Sequence, residues 1–329
     1  MPPTRTALGL ELRDVTKRYP GARTAAITGL SLEVGAGEVC VLVGPSGSGK
    51  TTAMRLINRL IPLSGGDILL GGASVLDRSA VDLRREIGYV IQQVGLFPHL
   101  SVAENIATVP RLLGWSRDRI AARTQELLEL IGMDAEEIGP RYPAALSGGQ
   151  RQRVGVARAL AADPPLLLMD EPFGAIDPIT RARLQDEFLA LQARVRKTVV
   201  FVTHDIDEAI KMGDRVAVMR AGGTLAQYAT PDELLRAPAD DFVAQFVGSD
   251  RALKRLALAT LADIELADAS GLNGDHARLP DTTTLRDALA ALLTGDGRPL
   301  LVVDSSQRVL GKFTIEALSE RLRSEHAQL

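Results

Sequence analysis

The chain has 329 residues, enough for about two domains, and 46% of them are hydrophobic, so a sizeable core can form although aromatics make up only 4%. A net charge of −3 provides no basic surface for nucleic acid, and no nucleic-acid partner is expected. One cysteine and four histidines exclude a disulfide framework and argue against a structural zinc site.

The N-terminus has no apolar segment typical of a signal peptide. No part of the chain approaches the ~18–20 consecutive apolar residues that cross a bilayer. We therefore expect a cytosolic chain that reaches a membrane only through a partner.

The first elements in chain order are strands. Alternating apolar residues predict strands over 10–15, Ile27–Val34 and Val39–Val43. A helix follows from about Gly49. Its predicted inner face carries Leu56, Ile57, Leu60 and Ile61, and Pro62 with the Ser-Gly-Gly of 64–66 should end it.

The middle of the chain alternates further between the two kinds of element. Residues 87–91 read as a strand, and 102–161 have a helical pattern with Gly and Pro punctuation. Residues 166–169 and 199–202 are continuous apolar runs, typical of strands buried on both faces of a parallel sheet. The alternation predicts an α/β fold.

The sequence pattern changes after Gly248, and a second domain is expected from there. We interpret 267–280 as a loop, because it is polar and contains glycine. The remainder predicts a helix over 284–293, a strand over 299–303, a turn at 304–307, a strand over 309–313 and a helix over 314–323.

A glycine-rich motif links the strand Val39–Val43 to the helix after it, and it consists of Gly44, Pro45, Ser46, Gly47, Ser48, Gly49, Lys50, Thr51 and Thr52. Such a P-loop lets backbone N–H groups and the helix N-terminus converge on phosphate oxygens. Lys50 brings positive charge to the β- and γ-phosphates, and Thr51 offers a hydroxyl to Mg²⁺. The motif predicts binding of a nucleoside triphosphate.

Two carboxylates follow the apolar run 166–169. Asp170 stands where P-loop NTPases place the carboxylate that holds Mg²⁺, and Glu171 comes next. An isolated Asp-Glu pair is more often a solvated turn. Four aliphatic residues before it and a P-loop upstream favour a catalytic interpretation.

A third motif lies between these two. Ser147, Gly148, Gly149 and Gln150 begin a helix, whose N-terminus attracts anions. With the P-loop and Asp170-Glu171, and at this spacing, it makes the chain resemble the ATPase subunit of an ABC transporter over residues 8–248. The resemblance implies domain 1–248 is an ABC cassette: a RecA-like core, an antiparallel β-subdomain and a helical subdomain of about 96–160.

The resemblance also implies roles for single residues. Glu171 would be the catalytic carboxylate, His204 the switch histidine at the γ-phosphate, and Gln92 the Q-loop glutamine. The Mg²⁺ ligands would be Thr51, Gln92 and Asp170. Tyr19 stands where the family stacks an aromatic ring on adenine, although an ordinary half-buried tyrosine is the alternative. Asp177 belongs to the D-loop, whose usual first residue, Ser, is Gly174 here.

If the helical subdomain forms a separate lobe, the Ser147 motif cannot reach its own P-loop. The resemblance therefore implies that it faces the γ-phosphate of a second ATPase chain, in a head-to-tail dimer that encloses two ATP molecules. Hydrolysis would then drive membrane subunits through opening and closing of the dimer.

Two segments, 87–100 and 242–256, resemble importers of osmoprotectants such as glycine betaine, choline or carnitine. This implies transmembrane permease subunits, an extracytoplasmic binding protein as an indirect partner, and a peripheral place on the cytoplasmic face of the inner membrane. Two alternatives stay open. One is an importer of another solute, such as methionine or a polyamine, and the other is a soluble ABC ATPase that acts on ribosomes or DNA.

Domain 249–329 resembles, in residues 299–323, the ββα end of a CBS motif, in a single copy. We expect a small α+β domain. Ala317 replaces the Asp that commonly holds a nucleotide ribose in such motifs. The tail would stabilise a dimer or, as the alternative, sense ionic strength or a small ligand.

Overall fold

The computed structural model describes residues 6–92, 95–174, 176–269, 276–295 and 298–326. The chain divides into two units, Met1–Thr230 and Pro231–Leu329. Within the described ranges, no helix is both long enough and apolar enough to cross a membrane. The domain limits expected from the sequence, 1–248 and 249–329, stay a prediction, because the two units reflect internal contacts alone.

Strands and helices alternate along the first unit, which confirms the α/β prediction. The strands are β1 (Leu10–Lys17), β2 (Ile27–Val34), β3 (Val39–Val43), β4 (Gly65–Leu70), β5 (Ala73–Ser74), β6 (Ile87–Val90), β7 (Leu166–Asp170), β8 (Thr198–Thr203), β9 (Arg215–Arg220) and β10 (Thr224–Ala229). The helices are α1 (Lys50–Ile57), α2 (Ala80–Glu86), α3 (Val102–Ile106), α4 (Thr108–Leu112), α5 (Arg117–Leu130), α6 (Ala135–Ile138), α7 (Gly148–Leu160), α8 (Pro178–Val195) and α9 (Ile206–Met212).

The larger sheet of this unit has the strand order β10-β9-β3-β8-β7-β6. Neighbours pair in parallel, except that β10 is antiparallel to β9. Residues 166–169 of β7 and every residue of β8 are buried, as the continuous apolar runs predicted. Strand β3, predicted from an alternating pattern, is also buried throughout. Because carboxyl ends of parallel strands meet at one edge, the residues that follow β3, β6, β7 and β8 lie there together.

A smaller antiparallel sheet has the order β2-β1-β4-β5. Leu10 of β1 lies opposite Val34 on one side and Leu70 on the other. The buried faces of this sheet and of α1 share one core. The sheet is also tied to the turn between β9 and β10, where Thr28 N donates to Gly223 O at 3.1 Å.

Helix α1 ends earlier than the sequence predicts. Arg59 adopts a left-handed conformation (φ 48°), and Leu60 N donates to the carbonyl of Arg55, which closes the helix with a Schellman-type motif. Leu60 is 46% exposed. The expectation that Leu60 and Ile61 continue the buried face of this helix is therefore wrong. The helix ends well before Pro62 because Arg59 already reverses the backbone.

The segment between β6 and β7 is helical, and it contains α3 to α7. This confirms the helical pattern predicted over 102–161. Two of these helices begin with capping boxes: Ser101 pairs with Glu104, and Ser147 pairs with Gln150.

The second unit contains a three-stranded sheet in the order β11 (Arg278–Pro280), β12 (Leu300–Val303) and β13 (Val309–Phe313). Strand β11 is parallel and β13 antiparallel to β12. The core of this unit includes Leu285, Leu292 and Phe313. The elements predicted after residue 280 are confirmed, with small shifts at their ends. The unit contains α10 (Pro231–Arg236), α11 (Asp241–Val247), α12 (Arg251–Arg255), β11 (Arg278–Pro280), α13 (Leu285–Thr294), β12 (Leu300–Val303), β13 (Val309–Phe313) and α14 (Ile315–His326).

The loop predicted over 267–280 is wrong at its end, where β11 lies. Residues 270–275 are outside the described residues. Strand β11 is three residues long with a single aliphatic side chain, Leu279, so its sequence carries no alternating pattern. Its pairing with Leu301, Val302 and Val303 of β12 makes it a strand, and that pairing is not local in sequence.

The turn between β9 and β10 generates a stability prediction. A Cβ on Gly223 would lie 2.1 Å from the carbonyl oxygen of Ala26, whereas a Cβ on Gly222 meets no heavy atom within 4 Å. Both glycines have positive φ, so either alanine substitution costs ~1 kcal/mol of stability. We expect Gly222→Ala to lower the midpoint of thermal unfolding by about 2–4 °C and Gly223→Ala by at least twice that. Equal shifts would contradict the close approach.

Candidate functional site

The P-loop runs from the end of β3 into the first turn of α1. Ser46 and Gly47 are exposed at its tip, and Ser48 and Lys50 are buried beneath them. Gly49 begins the helix in a left-handed conformation (φ 88°), and a Cβ there would lie 2.6 Å from Ala26 O. Only glycine fits this position, so the loop can present its N–H groups outward.

Lys50 is directed into this loop. Its ammonium donates to Gly44 O at 2.7 Å, Pro45 O at 2.9 Å and Ser48 Oγ at 3.2 Å. Burial lowers the pKa of Lys50, and the carboxylates of Glu171 and Asp170 offset only part of this shift. A negative group at the loop would restore the charged form that burial disfavours.

Thr51 and Asp170 come from different elements, α1 and the end of β7. Thr51 Oγ1 donates to Asp170 Oδ1 at 3.1 Å. Burial raises the pKa of Asp170, and the Glu171 charge adds to this, whereas Thr51, Arg55 and Lys50 lower it. A hydroxyl and a half-buried carboxylate side by side fit Mg²⁺, which prefers oxygen ligands and would compensate the partly buried charge.

Residues that follow β6 and β8 meet at Glu171, which follows β7. Its backbone is left-handed (φ 44°), uncommon for a residue with a side chain, and its N–H donates to Val202 O of β8 at 2.9 Å. Gln92, after β6, donates its Nε2 to Glu171 Oε2 at 2.9 Å. His204, after β8, places Nδ1 3.3 Å from the same oxygen. The structure thus brings together the three residues predicted to be catalytic.

The Ser147 motif lies at the start of α7. Ser147 Oγ accepts from Gln150 N at 3.2 Å, and Gln150 Oε1 accepts from Ser147 N at 2.8 Å. Ser147 and Gly148 are exposed. Across the described residues, none of the four motif residues forms a hydrogen bond with the P-loop of the same chain.

Asp177 caps α8, next to the start of α7. Its Oδ1 accepts from Thr180 N at 3.0 Å, and this bond lowers the pKa of the carboxyl group. A Cβ on Gly149 would lie 3.3 Å from Thr180 Cγ2, so the two helix N-termini are neighbours. Asp177 is exposed, and Ile179 beside it is 85% exposed. The Ser147 motif and the D-loop therefore end on one accessible surface.

Tyr19 follows β1, and its ring is 38% exposed. Lys17 Nζ lies 5.2 Å from the ring centroid and donates to Pro62 O at 2.6 Å. The ring is therefore held from one side and accessible for stacking, which a fully buried tyrosine would not be.

Sequence reasoning missed a set of polar contacts behind the site. Buried Glu208 of α9 accepts from Gln185 of α8, and Arg181 of α8 lies close to Asp205. The four-residue spacing of Arg181 and Gln185 places them on one face of α8 and was the available signal.

Comparisons with known proteins agree with this geometry. The family model described as ABC transporter matches residues 27–174. The chain is 48% identical to the osmoprotectant import ATP-binding protein OsmV of Salmonella typhimurium, over 92% of this chain and 78% of that protein. It is 46% identical to the choline transport ATP-binding protein OpuBA of Bacillus subtilis, over 94% and 80%.

Among solved structures, the fold is similar to the dimeric ATP-binding cassette MJ0796 in a post-hydrolysis state bound to ADP and Pi. The TM-score is 0.59 at 33% identity, over 68% of this chain and 98% of that one. The sequence relatives and the similar solved structure indicate the same family. The chain therefore belongs to the ABC transporter family, among the ATP-hydrolysing subunits related to those of osmoprotectant importers.

Proposed function

We propose that this ATPase works as one of two cassettes that bind MgATP between them and energise import of an osmoprotectant, of the glycine betaine, choline or carnitine type, through a separate permease. The observation that carries the proposal is the convergence of Gln92 and His204 on one carboxylate oxygen of Glu171. This triad lies at the same sheet edge as the P-loop and the Thr51–Asp170 pair.

In this proposal the P-loop, residues 44–52, holds the phosphates through its N–H groups and Lys50. Thr51, Asp170 and Gln92 would hold Mg²⁺, which neutralises charge on the β- and γ-phosphates. Gln92 can do this while it contacts Glu171, because Nε2 makes that contact and Oε1 stays available. Tyr19 would stack on the adenine.

Glu171 would orient and polarise the attacking water. Gln92 donates to Oε2 and His204 Nδ1 lies 3.3 Å from the same oxygen, so both residues would help to orient the carboxylate. Such preorganised groups reduce reorganisation during the reaction. His204 is 61% exposed at its side chain and could also reach the γ-phosphate.

The second cassette would supply the Ser147 motif. That motif is exposed beside Asp177 and forms no hydrogen bond with its own P-loop in the described residues. A helix N-terminus with free N–H groups suits an anion such as a γ-phosphate. The relative MJ0796 is a dimer, which supports the same arrangement here.

The transport partners follow from the relatives. Their names describe ATP-binding subunits of osmoprotectant and choline import systems. We infer that this chain docks on the cytoplasmic face of transmembrane permease subunits and serves an extracytoplasmic binding protein indirectly. The solute would be recognised by those other subunits.

The 249–329 tail, with its CBS-like ββα segment, would stabilise the dimer. Val309, Leu310 and Leu293 of the second unit are exposed apolar residues, which favours association over isolation.

Replacement of Glu171 by Gln tests the catalytic assignment. The amide can no longer accept a proton from water, so we expect ATP hydrolysis to fall at least ~100-fold while ATP binding persists. The variant should accumulate as an ATP-bound dimer, measured by sedimentation together with phosphate release. Turnover at the wild-type rate would refute the role of Glu171.

Solute uptake tests the transport assignment. The complex of this chain with its permease and binding protein should take up a radiolabelled quaternary amine, and Lys50→Ala should abolish that uptake by removing the charge at the phosphates. Betaine, choline, carnitine, methionine and spermidine form the panel. Uptake of methionine or spermidine alone would leave an ATPase but remove the osmoprotectant proposal.

Deletion of residues 256–329 tests the tail. We expect nucleotide-free chains to associate more weakly after the deletion, as followed by sedimentation, because exposed apolar surface is lost. Association equal to that of the full chain would exclude a dimer-stabilising role.

A further inference from the structure

Helix α8 begins at the D-loop and carries two polar side chains toward the segment that follows β8. Arg181 and Gln185 are four residues apart and therefore share one face of the helix, and Asp177 is its N-cap residue. Arg181 and Gln185 each contact a residue near His204. None of these contacts reaches the P-loop.

The first contact joins the D-loop to the residue after the histidine. Arg181 Nη2 donates to the carbonyl of Ile176, next to Asp177, at 3.1 Å. Nη1 of the same guanidinium lies 3.9 Å from Asp205 Oδ2. Asp205 is itself fixed, because its Oδ1 caps α9 by accepting from Asp207 N at 2.9 Å and Glu208 N at 3.3 Å.

The second contact is buried. Gln185 Nε2 donates to Glu208 Oε1 at 3.0 Å, and the two side chains are 6% and 7% exposed. Glu208 is also linked to the histidine segment through its N–H, which donates to Asp205 Oδ1 at 3.3 Å, and Asp205 N donates to Thr203 Oγ1 at 3.1 Å. Thr203 and Asp205 flank His204. Burial raises the pKa of Glu208, while Thr203 and Gln185 lower it.

We propose that Arg181, Gln185, Asp205 and Glu208 form a positioning bridge that makes the placement of His204 depend on the position of the D-loop. When a second cassette meets Asp177, any displacement of the start of α8 is passed to both residues beside the histidine. Hydrolysis then becomes conditional on a correctly docked partner. The inference rests on the proposed function and goes beyond it, because it assigns residues that touch neither ATP nor Glu171.

Buried hydrogen-bonded groups suit this task. If a buried hydrogen bond breaks, both of its polar groups are left unsatisfied in the interior, which costs free energy. The pair therefore favours one fixed arrangement over a range of intermediate ones. The partly exposed Arg181–Asp205 pair would by itself be weak. The buried Gln185–Glu208 pair supplies the rigidity, and Arg181 supplies the link to Ile176.

The test compares single-turnover hydrolysis by Glu208→Ala and Glu208→Gln in the wild-type and His204→Ala backgrounds. We expect Glu208→Ala to lower the rate about 10-fold with unchanged ATP affinity, within the range reported for coupling networks. Glu208→Gln should restore the rate, since its amide oxygen can still accept from Gln185. In the His204→Ala background, Glu208→Ala should cause no further loss.

A matched control separates positioning from general stability. Gln192 is another buried amide on α8, and its Nε2 donates to Gly37 O at 3.2 Å, away from the switch segment. Gln192→Ala and Gln185→Ala should lower the unfolding midpoint alike, but only Gln185→Ala should slow hydrolysis. Equal slowing by both would overturn the bridge.

Arg181→Ala provides a second route if the Glu208 variants fold poorly, because Arg181 is partly exposed. It should slow hydrolysis in the wild type and add nothing to His204→Ala. Losses that multiply across the two backgrounds, for Glu208 or for Arg181, would overturn the bridge and leave the proposed function intact. Wild-type turnover by His204→Ala alone would instead overturn the proposed role of His204, and the bridge with it.

Discussion

One carboxylate oxygen, Oε2 of Glu171, is the point on which the site depends. It accepts from Gln92 and lies within 3.3 Å of His204, so it joins the ends of three neighbouring parallel strands, β6, β7 and β8. The parallel order of the sheet makes this possible, since it places these ends at one edge. The left-handed backbone of Glu171, held by Val202 O, directs the side chain to that meeting point. The meeting of Gln92, Glu171 and His204 is therefore a consequence of sheet topology.

The charges of Lys50 and Asp170 are the second feature on which the site depends. Burial disfavours the charge of Lys50 and the charge of Asp170, and it lowers the pKa of the first and raises the pKa of the second. A triphosphate beside Lys50 and a divalent cation beside Asp170 would relieve both penalties together. The same protein groups that are costly to bury thus favour the combination of nucleotide and metal over either alone. Nucleotide binding and the exposed Ser147 surface are the features that the proposed two-cassette arrangement requires of each chain.

Much of this was predictable from the sequence. The P-loop, the run that ends in Asp170 and the buried strands β3, β7 and β8 are local patterns, and local patterns suffice for them. The position of Pro62 did not predict the end of α1, because the left-handed backbone of Arg59 ends the helix before Pro62 is reached. Strand β11 was not predicted because only its pairing with β12 makes it a strand. The Gln185–Glu208 hydrogen bond was not predicted because the two residues lie on different helices. The failures at β11 and at the Gln185–Glu208 pair share one cause, which is dependence on partners distant in sequence, whereas α1 ends at a local reversal at Arg59.

The most direct test is a high-resolution structure of the chain with Mg²⁺ and a non-hydrolysable ATP analogue. The account predicts that Gln92 and His204 remain within hydrogen-bond distance of Glu171, that a water beside the γ-phosphate contacts this carboxylate, and that Ser147 from a second chain reaches the same phosphate. A Glu171 side chain directed away from the γ-phosphate, or a nucleotide bound by one chain alone, would contradict it.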